Sequence, residues 1–466
     1  MIKQPKKHTP NASHYLLSPA QPRHNTDIHS LKPLQTVSSY NRLFLSLAAT
    51  LVIMTTPQTS SLSSNQSGPS FLFILAAIQF THILDFMIMM PQGPMFMRDF
   101  NIDTHAFGWL VSSYTLGAAA MGLLATLFIE RQTTKRLLVW FYALFILATL
   151  ACAIAPTYTL LAVARTFAGI FGGLLTPLVQ TMVAENTPAH QRGSAMGVIM
   201  TSFSLATVAG VPLGLLIAHH SSWRMSFVLI AVVSLLIWVY GLKKLPSTPK
   251  QARTAQDNTP INALKHMWKV LIHPTHLVAY TMNIMVMMAG FTIIPFITIY
   301  MTHNVGFSES SLPLIYLCGG ICTLISARII GQASDRWGSP VTFRTVALLS
   351  LIPILAITHL SGFSNGVFGW SLVVTSLFFI LISGRMIPMM ALFSRIVDPN
   401  VRASFMSVNA TMQHLGSSMA AILSGMMLSQ AQNGELLNYH IVGYTAVGFT
   451  LLAITLSFRL TKHAKI

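Results

Sequence analysis

Residues 243–260 read KKLPSTPKQARTAQDNTP, and this stretch divides the chain. Four Lys/Arg, one Asp and three Pro within 18 residues describe a solvated, Pro-punctuated linker, which we extend to 243–275. Working outward in both directions, the chain turns apolar. Six hydrophobic runs precede the linker, at 71–91, 107–129, 137–155, 159–183, 195–218 and 225–242. Six follow it, at 276–301, 311–332, 343–361, 367–392, 404–429 and 439–458. A helix needs roughly 20 apolar residues to cross the hydrocarbon core of a bilayer. Lipid offers no partner to backbone N–H and C=O groups, so apolar runs of this length read as helices. The expected fold is an all-α integral membrane protein with twelve transmembrane helices in two related six-helix bundles. The first bundle covers 70–242 and the second 276–461, followed by a tail at 462–466.

Composition agrees. Of 466 residues, 53% are apolar and only 8% are charged. A soluble protein carries about a quarter of its residues charged, so most of this surface faces lipid, and the bilayer is the first partner. The net charge of +17 would point to nucleic acid in a soluble chain. Its distribution gives another reading. With both termini placed in the cytoplasm, 24 of the 28 Lys/Arg fall in the N-terminal tail, the even loops or the C-terminus. Arg98 and Arg224 lie outside, among Asp99, Asp103, Glu309 and Glu435, while Arg165 and Arg385 fall within spans. This is the positive-inside distribution. It implies a multi-pass protein of the cell inner (cytoplasmic) membrane and no nucleic-acid partner.

Residues 1–69 are polar and basic, and read as a disordered tail. The apolar run LFLSLAATLVIM (43–54) is too short to span and resembles the core of a signal peptide, and Met54 is a plausible start, so whether 1–53 belongs to the mature protein stays open. Cys152, Cys318 and Cys322 all sit in apolar runs, where small packing residues are the expected role rather than a disulfide or a metal site.

The two halves repeat. Glu130-Arg131 follows span 2 and Asp335-Arg336 follows span 8, an offset of 205 residues. PAHQRGSAMG (188–197) precedes span 5 and PNVRASFMS (399–407) precedes span 11, sharing R-x-S-x-M with Arg192 matching Arg402. Acid-base pairs at matching helix ends suggest a gate closed by ion pairing, with ordinary loop charge as the alternative.

These features resemble the major facilitator superfamily over roughly residues 70–460. GQASDRWGS (331–339) is similar to the family's G-x-x-x-D-R-x-G loop motif, through Gly331, Asp335, Arg336 and Gly338. The first copy, TLFIERQTTKR (126–136), keeps Glu130 and Arg131 but has Thr126 and Thr133 at glycine positions. RTFAGIFGG (165–173) resembles the span-4 pattern, with Gly169 and Gly173 as packing positions. LDFMIMMPQGP (84–94) and GVPLG (210–214) with WRMSF (223–227) resemble segments of drug-proton antiporters and arabinose-efflux-like permeases. Gly197, Gly210, Pro212 and Gly214 fit the span-5 antiporter motif, whereas Ala206 replaces its middle glycine and Val211 separates the usual Gly-Pro pair. The resemblance implies export above uptake and a cavity lined by spans 1, 4, 7 and 10.

Ionisable groups inside spans cost several kcal/mol and are functional candidates by default. Asp85 is the carboxylate well inside a span, with Thr81, His82 and Met89 on its helix face. Its two readings are proton or substrate coupling and a packing ion pair. The resemblance places Arg165 in proton coupling, with Asp85 as a candidate partner; a carbonyl-capped structural arginine is the alternative. His82 is a candidate relay, although a hydrogen-bonded packing histidine is the plainer role. Arg385 in span 10 holds the loosely equivalent place in the second half, either neutralising a substrate anion or pairing with backbone. Met89, Asn283, Arg385 and Met389 are the substrate-cavity candidates. The methionines of spans 1, 7 and 10 suit either packing or a permissive pocket. Gln413 and His414 in span 11 join Asn283 and Asn409 as polar groups whose default is interhelical hydrogen bonding.

The expected function is secondary transport by alternating access, namely proton-coupled efflux of a small organic compound. No cofactor is expected beyond the proton gradient, and a monomer suffices. Uptake by symport or facilitation is the rival direction. A multi-span sensor or enzyme is the rival class, but no sizeable output domain, paired-acid site, H-E-x-x-H motif or nucleotide loop supports it.

Overall fold

The apolar runs become helices, and the chain is described here from a computed structural model covering residues 69–124, 132–188, 191–246, 268–363, 368–398 and 401–463. The expectations for the tail at 1–68, for Glu130 and Arg131, for linker residues 247–267 and for 464–466 lie outside these described residues. Seven spans are continuous or nearly so. They are span 2 (Thr104–Leu124), span 3 (Thr134–Ile154), span 6 (Trp223–Lys244), span 8 (Leu312–Trp337), span 9 (Ser339–Thr358), span 11 (Arg402–Met427) and span 12 (Tyr439–His463).

Spans 1, 4, 7 and 10 are each broken. Span 1 runs Pro69–Ile88 and resumes at Gly93–Phe100; span 4 runs Tyr158–Gly172 and resumes at Leu175–Asn186. Span 7 runs Pro274–Phe291, passes a 3-10 turn at Ile294–Phe296 and resumes at Ile297–His303; span 10 runs Phe368–Gly384 and resumes at Met386–Ile396. Each break falls at a helix-weak sequence: Pro91 and Pro94, Gly172 and Gly173, Pro295, Gly384 and Pro388. Proline removes a ladder donor and glycine lowers the cost of departing from the helix. Span 5 bends differently. Between Arg192–Leu205 and Val211–His220, residues Ala206–Gly210 form one π turn, ahead of Pro212. At Gly210–Pro212 span 5 therefore carries a π bulge, which accommodates the donor that proline lacks.

By length and composition, eleven helices among the described residues are long and apolar enough to cross a membrane. The twelfth, span 11, has 26 residues and is about 39 Å long at about 1.5 Å per residue. It is the most polar span because it lies between the halves. Its partners are span 2, from the first bundle, and span 7. Thr104 Oγ1 donates to the Gly425 carbonyl (3.3 Å) and the Leu428 carbonyl (2.9 Å). Ser112 Oγ donates to the Ser418 carbonyl (3.0 Å), and the Thr115 and Ser418 hydroxyls meet at 2.7 Å. Gly108 allows the approach, since a Cβ there would stand 2.5 Å from the Ala421 carbonyl oxygen. Hydroxyls and small residues join helices in this way where lipid gives no hydrophobic drive for association.

Spans 5 and 8 form the second junction, where Gly320 packs on Val208 of the π turn. At the side opposite the described chain ends, Arg98 Nη1 pairs with Glu309 Oε1 across the halves at 3.0 Å. Phe107 meets Phe296 edge-on nearby (ring centroids 5.6 Å). The partly exposed ion pair contributes about 1 kcal/mol or less, so helix packing carries this junction.

Candidate functional site

The interior charges converge in the first bundle. Asp85, in the first piece of span 1, is 0% exposed, and Arg165, in the first piece of span 4, is 1% exposed. Arg165 Nη1 donates to Asp85 Oδ2 at 2.8 Å. Thr149 Oγ1 of span 3 donates to the other carboxylate oxygen at 3.3 Å. The guanidinium also lies over the rings of Tyr114 (4.6 Å) and Phe227 (5.7 Å), from spans 2 and 6. Five spans therefore enclose one charge pair. Arg165 Nε keeps no hydrogen-bond partner.

Glycine makes this geometry possible. A Cβ on Gly169 would overlap the Tyr114 carbonyl, and one on Gly173 would stand 2.8 Å from Ala118 Cα. The stripe Arg165–Gly169–Gly173 thus lays span 4 directly on span 2, placing the Tyr114 ring on the arginine one turn away. In the antiporter motif, Gly210 and Gly214 do the same for span 1, facing Leu84 and Ile88 side chains. Gly197 has nothing within 4 Å.

His82 is buried one turn before Asp85, and its Nδ1 lies 2.9 Å from the Tyr114 hydroxyl. Its ring meets Phe145 edge-on (6.0 Å). These contacts place His82 in a chain that leads through Tyr114 to Arg165. His414 of span 11 lies within electrostatic reach of His82 from the opposite half. Thr81 turns elsewhere, sharing a 2.8 Å hydrogen bond with the Tyr142 hydroxyl of span 3.

The second bundle differs, and one expectation changes. Arg165 lies mid-helix, eight residues before its span's break, whereas Arg385 sits on the break of span 10 between Gly384 and Met386. The two arginines are not positional equivalents. Arg385 is 1% exposed; its Nη2 donates to the Val286 carbonyl of span 7 (2.7 Å) and its Nη1 to Thr450 Oγ1 of span 12 (3.4 Å). Asn283 Nδ2 donates to Asn409 Oδ1 at 2.9 Å, joining spans 7 and 11. Met89 is buried in an apolar cluster built from both halves and Met389 in a cluster of the second half, and Met282, Met287 and Met288 are buried as well. The four cavity candidates all lie in the packed interior of this conformation.

The loop motif after span 8 is exposed at Asp335 and Arg336. Among the described residues neither forms an ion pair within 4 Å. Gly338 has a clear conformational reason: with φ of 86° it ends span 8 in a region that L side chains avoid, and turns the chain into span 9. Gly331 meets nothing within 4 Å. Cys152 is buried beside the charge pair, and the three cysteines are free; among the described residues no cluster of three or more His, Cys, Asp or Glu could hold a metal.

Sequence reasoning missed Tyr114, Thr149 and Phe227 as partners of the pair. Each looks like an ordinary span residue, and only the helix crossings bring them together. The one available signal was the Gly169–Gly173 stripe, which marks a close crossing without naming the neighbour.

Comparison with known proteins accords with this architecture. The sequence pattern of the Major Facilitator Superfamily matches residues 75–421 and 279–465. The chain is 21% identical over 364 residues to an uncharacterized MFS-type transporter, YceJ, of Bacillus subtilis (strain 168), covering 78% of this chain and 90% of that protein. Among solved structures it resembles a D-xylose-proton symporter (TM-score 0.67, 17% identity, 82% of this chain and 96% of that one). It also resembles a bacterial homolog of the human lysosomal transporter Spinster in an inward-facing, unoccupied conformation (TM-score 0.58, 15% identity, 86% and 96%). Both structural likenesses speak to the fold. With twelve spans in two bundles and the family pattern running nearly from end to end, the chain belongs to the Major Facilitator Superfamily and is a multi-pass membrane transporter.

Proposed function

We propose that this transporter couples proton entry to export of a small organic compound by alternating access. The observation that carries this reading is the buried Asp85–Arg165 pair at 2.8 Å. A carboxylate paired with a single arginine changes the local charge balance when it takes a proton. The guanidinium cannot respond by losing its own proton, so it must find other partners. Protonation at Asp85 therefore loosens the contact that ties span 1 to span 4, and deprotonation restores it. His82, hydrogen-bonded to the Tyr114 hydroxyl and within electrostatic reach of His414, is the candidate relay for that proton toward the second half. The export direction rests on the span-5 motif around Gly210, Pro212 and Gly214, and the energy source is the proton gradient rather than a cofactor. The Asp335–Arg336 motif acts as a gate in the alternate conformation. In this reading the protein works as a monomer in the cytoplasmic membrane.

Proteoliposomes with an imposed pH gradient, screened with sugars, amino acids and cationic drugs, test the coupling. Wild type is expected to move its substrate against the gradient of that substrate, and Asp85→Asn to lose gradient dependence. Equal transport with and without the gradient, or an Asp85→Asn variant that behaves as wild type, would refute the proposal. For orientation, an accessibility tag in 243–275 should label only from the cytoplasmic side. Labelling from the opposite side reverses the assigned topology.

A further inference from the structure

The interior of the second bundle holds a cation with no acid. The chain has eleven Asp and Glu in total. In the second half these are Glu309, Asp335, Asp398 and Glu435, all at span ends or in loops. Asp85 is already engaged by Arg165. Arg385 is therefore 1% exposed without a carboxylate within reach among the described residues, and its Nε has no hydrogen-bond partner. Val286 and Thr450 satisfy part of its donor set and none of its charge.

The repeat between the halves shows which residue of the second half takes the place of Asp85. Spans 1 and 7 begin at Pro69 and Pro274, an offset of 205 residues. Phe86 and Phe291 keep the same offset, and their rings meet across the two halves at 6.1 Å. The residue matching Asp85 at this offset is Gly290. A Cβ on Gly290 would lie 3.4 Å from Arg385 Nη2. At this register position the first half has a carboxylate against Arg165, and the second half has a glycine whose missing Cβ would face Ile382 and the guanidinium of Arg385, an arginine that enters from the break of span 10. Gly290 lies at the end of the first piece of span 7, next to the Phe86–Phe291 contact between the bundles.

From this placement we infer that Arg385 receives the negative charge of the cargo, and that the transported compound is an organic anion bearing one carboxylate. The inference rests on the transport reading above and adds the substrate class. Charge balance selects a monoanion. With Asp85 and Arg165 neutral as a pair, one unit of positive charge is left over, and a single carboxylate brings the interior to zero before it moves through the membrane. A guanidinium also matches a carboxylate geometrically through two parallel N–H···O bonds. Gly290 itself adds no side chain at this place, and Ile382 Cγ2 and Ile294 Cδ1 are the neighbouring atoms that must give way for a carboxylate to reach the guanidinium.

The test uses purified full-length protein and matched probes: benzoate against benzamide, and gluconate against glucose, read as shifts of melting temperature. At least one carboxylate is expected to raise the melting temperature, while its neutral counterpart does not. Arg385→Gln should bind that carboxylate at least about thirtyfold more weakly, as for loss of one partner of a buried charge pair, and Arg385→Lys should retain part of the shift. Asp85→Asn should keep the carboxylate shift while losing gradient-driven transport, so the anion site and the coupling reading fail separately. A cargo-independent variant covers the case in which Arg385→Gln does not fold. Gly290→Asp supplies an internal carboxylate, and should raise the melting temperature without ligand and abolish the carboxylate shift. The inference is overturned if no carboxylate probe shifts the protein, if neutral probes do equally well, or if Gly290→Asp leaves the melting temperature unchanged or lower.

Discussion

Replacing Asp85 by Leu is expected to destabilise the protein by about 3–5 kcal/mol, because it leaves Arg165 as an uncompensated buried charge. Arg165→Leu should cost less at neutral pH. A stranded carboxyl can take up a proton, whereas a guanidinium stays charged. The faces of Tyr114 and Phe227, at 4.6 and 5.7 Å, soften the isolated arginine but do not neutralise it. The double variant Asp85→Leu/Arg165→Leu should recover most of the lost stability, since buried ion pairs often exchange for apolar pairs at little cost. Its gradient-driven transport should nonetheless be absent. Reversible thermal or denaturant unfolding in detergent, run beside proteoliposome transport, separates the two roles. A double variant that is both stable and fully coupled would remove Asp85 and Arg165 from the mechanism. One as unstable as the worse single variant would show that the pair is retained for stability.

The second large effect is expected at Gly169. The position a Cβ would take is already occupied by the Tyr114 carbonyl oxygen. Gly169→Ala must therefore push spans 2 and 4 apart, at about 1–3 kcal/mol by analogy with overpacked cores. The displacement carries Tyr114 away from both Arg165 and His82, so transport should fall by more than the stability loss explains. Gly197→Ala is the control. Nothing lies within 4 Å of that position, which is mid-helix in span 5. There the substitution should stabilise by roughly 0.4–1 kcal/mol through the unfolded chain. Equal effects at the two glycines would show that helix propensity, rather than the span 2–span 4 contact, governs Gly169.

Parts of this site are legible in the sequence. Asp85, Arg165 and Arg385 announce themselves because a charge within an apolar run has no cheap explanation. The Asp85–Arg165 partnership is open to expectation from family resemblance, and the 2.8 Å contact realises it. Arg385 is open by sequence to a substrate anion or to backbone, and its contact with the Val286 carbonyl is of the second kind. It falls in the matching span, yet it sits on the helix break, and its environment contains backbone and hydroxyl in place of an acid. The methionines suit packing or a pocket by sequence, and Met89 is packed into an apolar cluster shared by both halves, Met389 into one of the second half.

Taken alone, the sequence determined the number of spans, the extents of most of them to within about five residues, and the relation of the two halves. It could do so because a backbone in lipid must satisfy its own hydrogen bonds, which makes an apolar run a helix whatever lies beside it. The tertiary structure decided where spans 1, 4, 7 and 10 break, how the polar span 11 finds partners in span 2, and which residues enclose Asp85. These depend on contacts between residues such as Gly169 and Tyr114, 55 positions apart, or Thr115 and Ser418, 303 apart. Helix periodicity records which face of one span is apolar or small. Which neighbour meets that face is settled when all twelve helices pack at once.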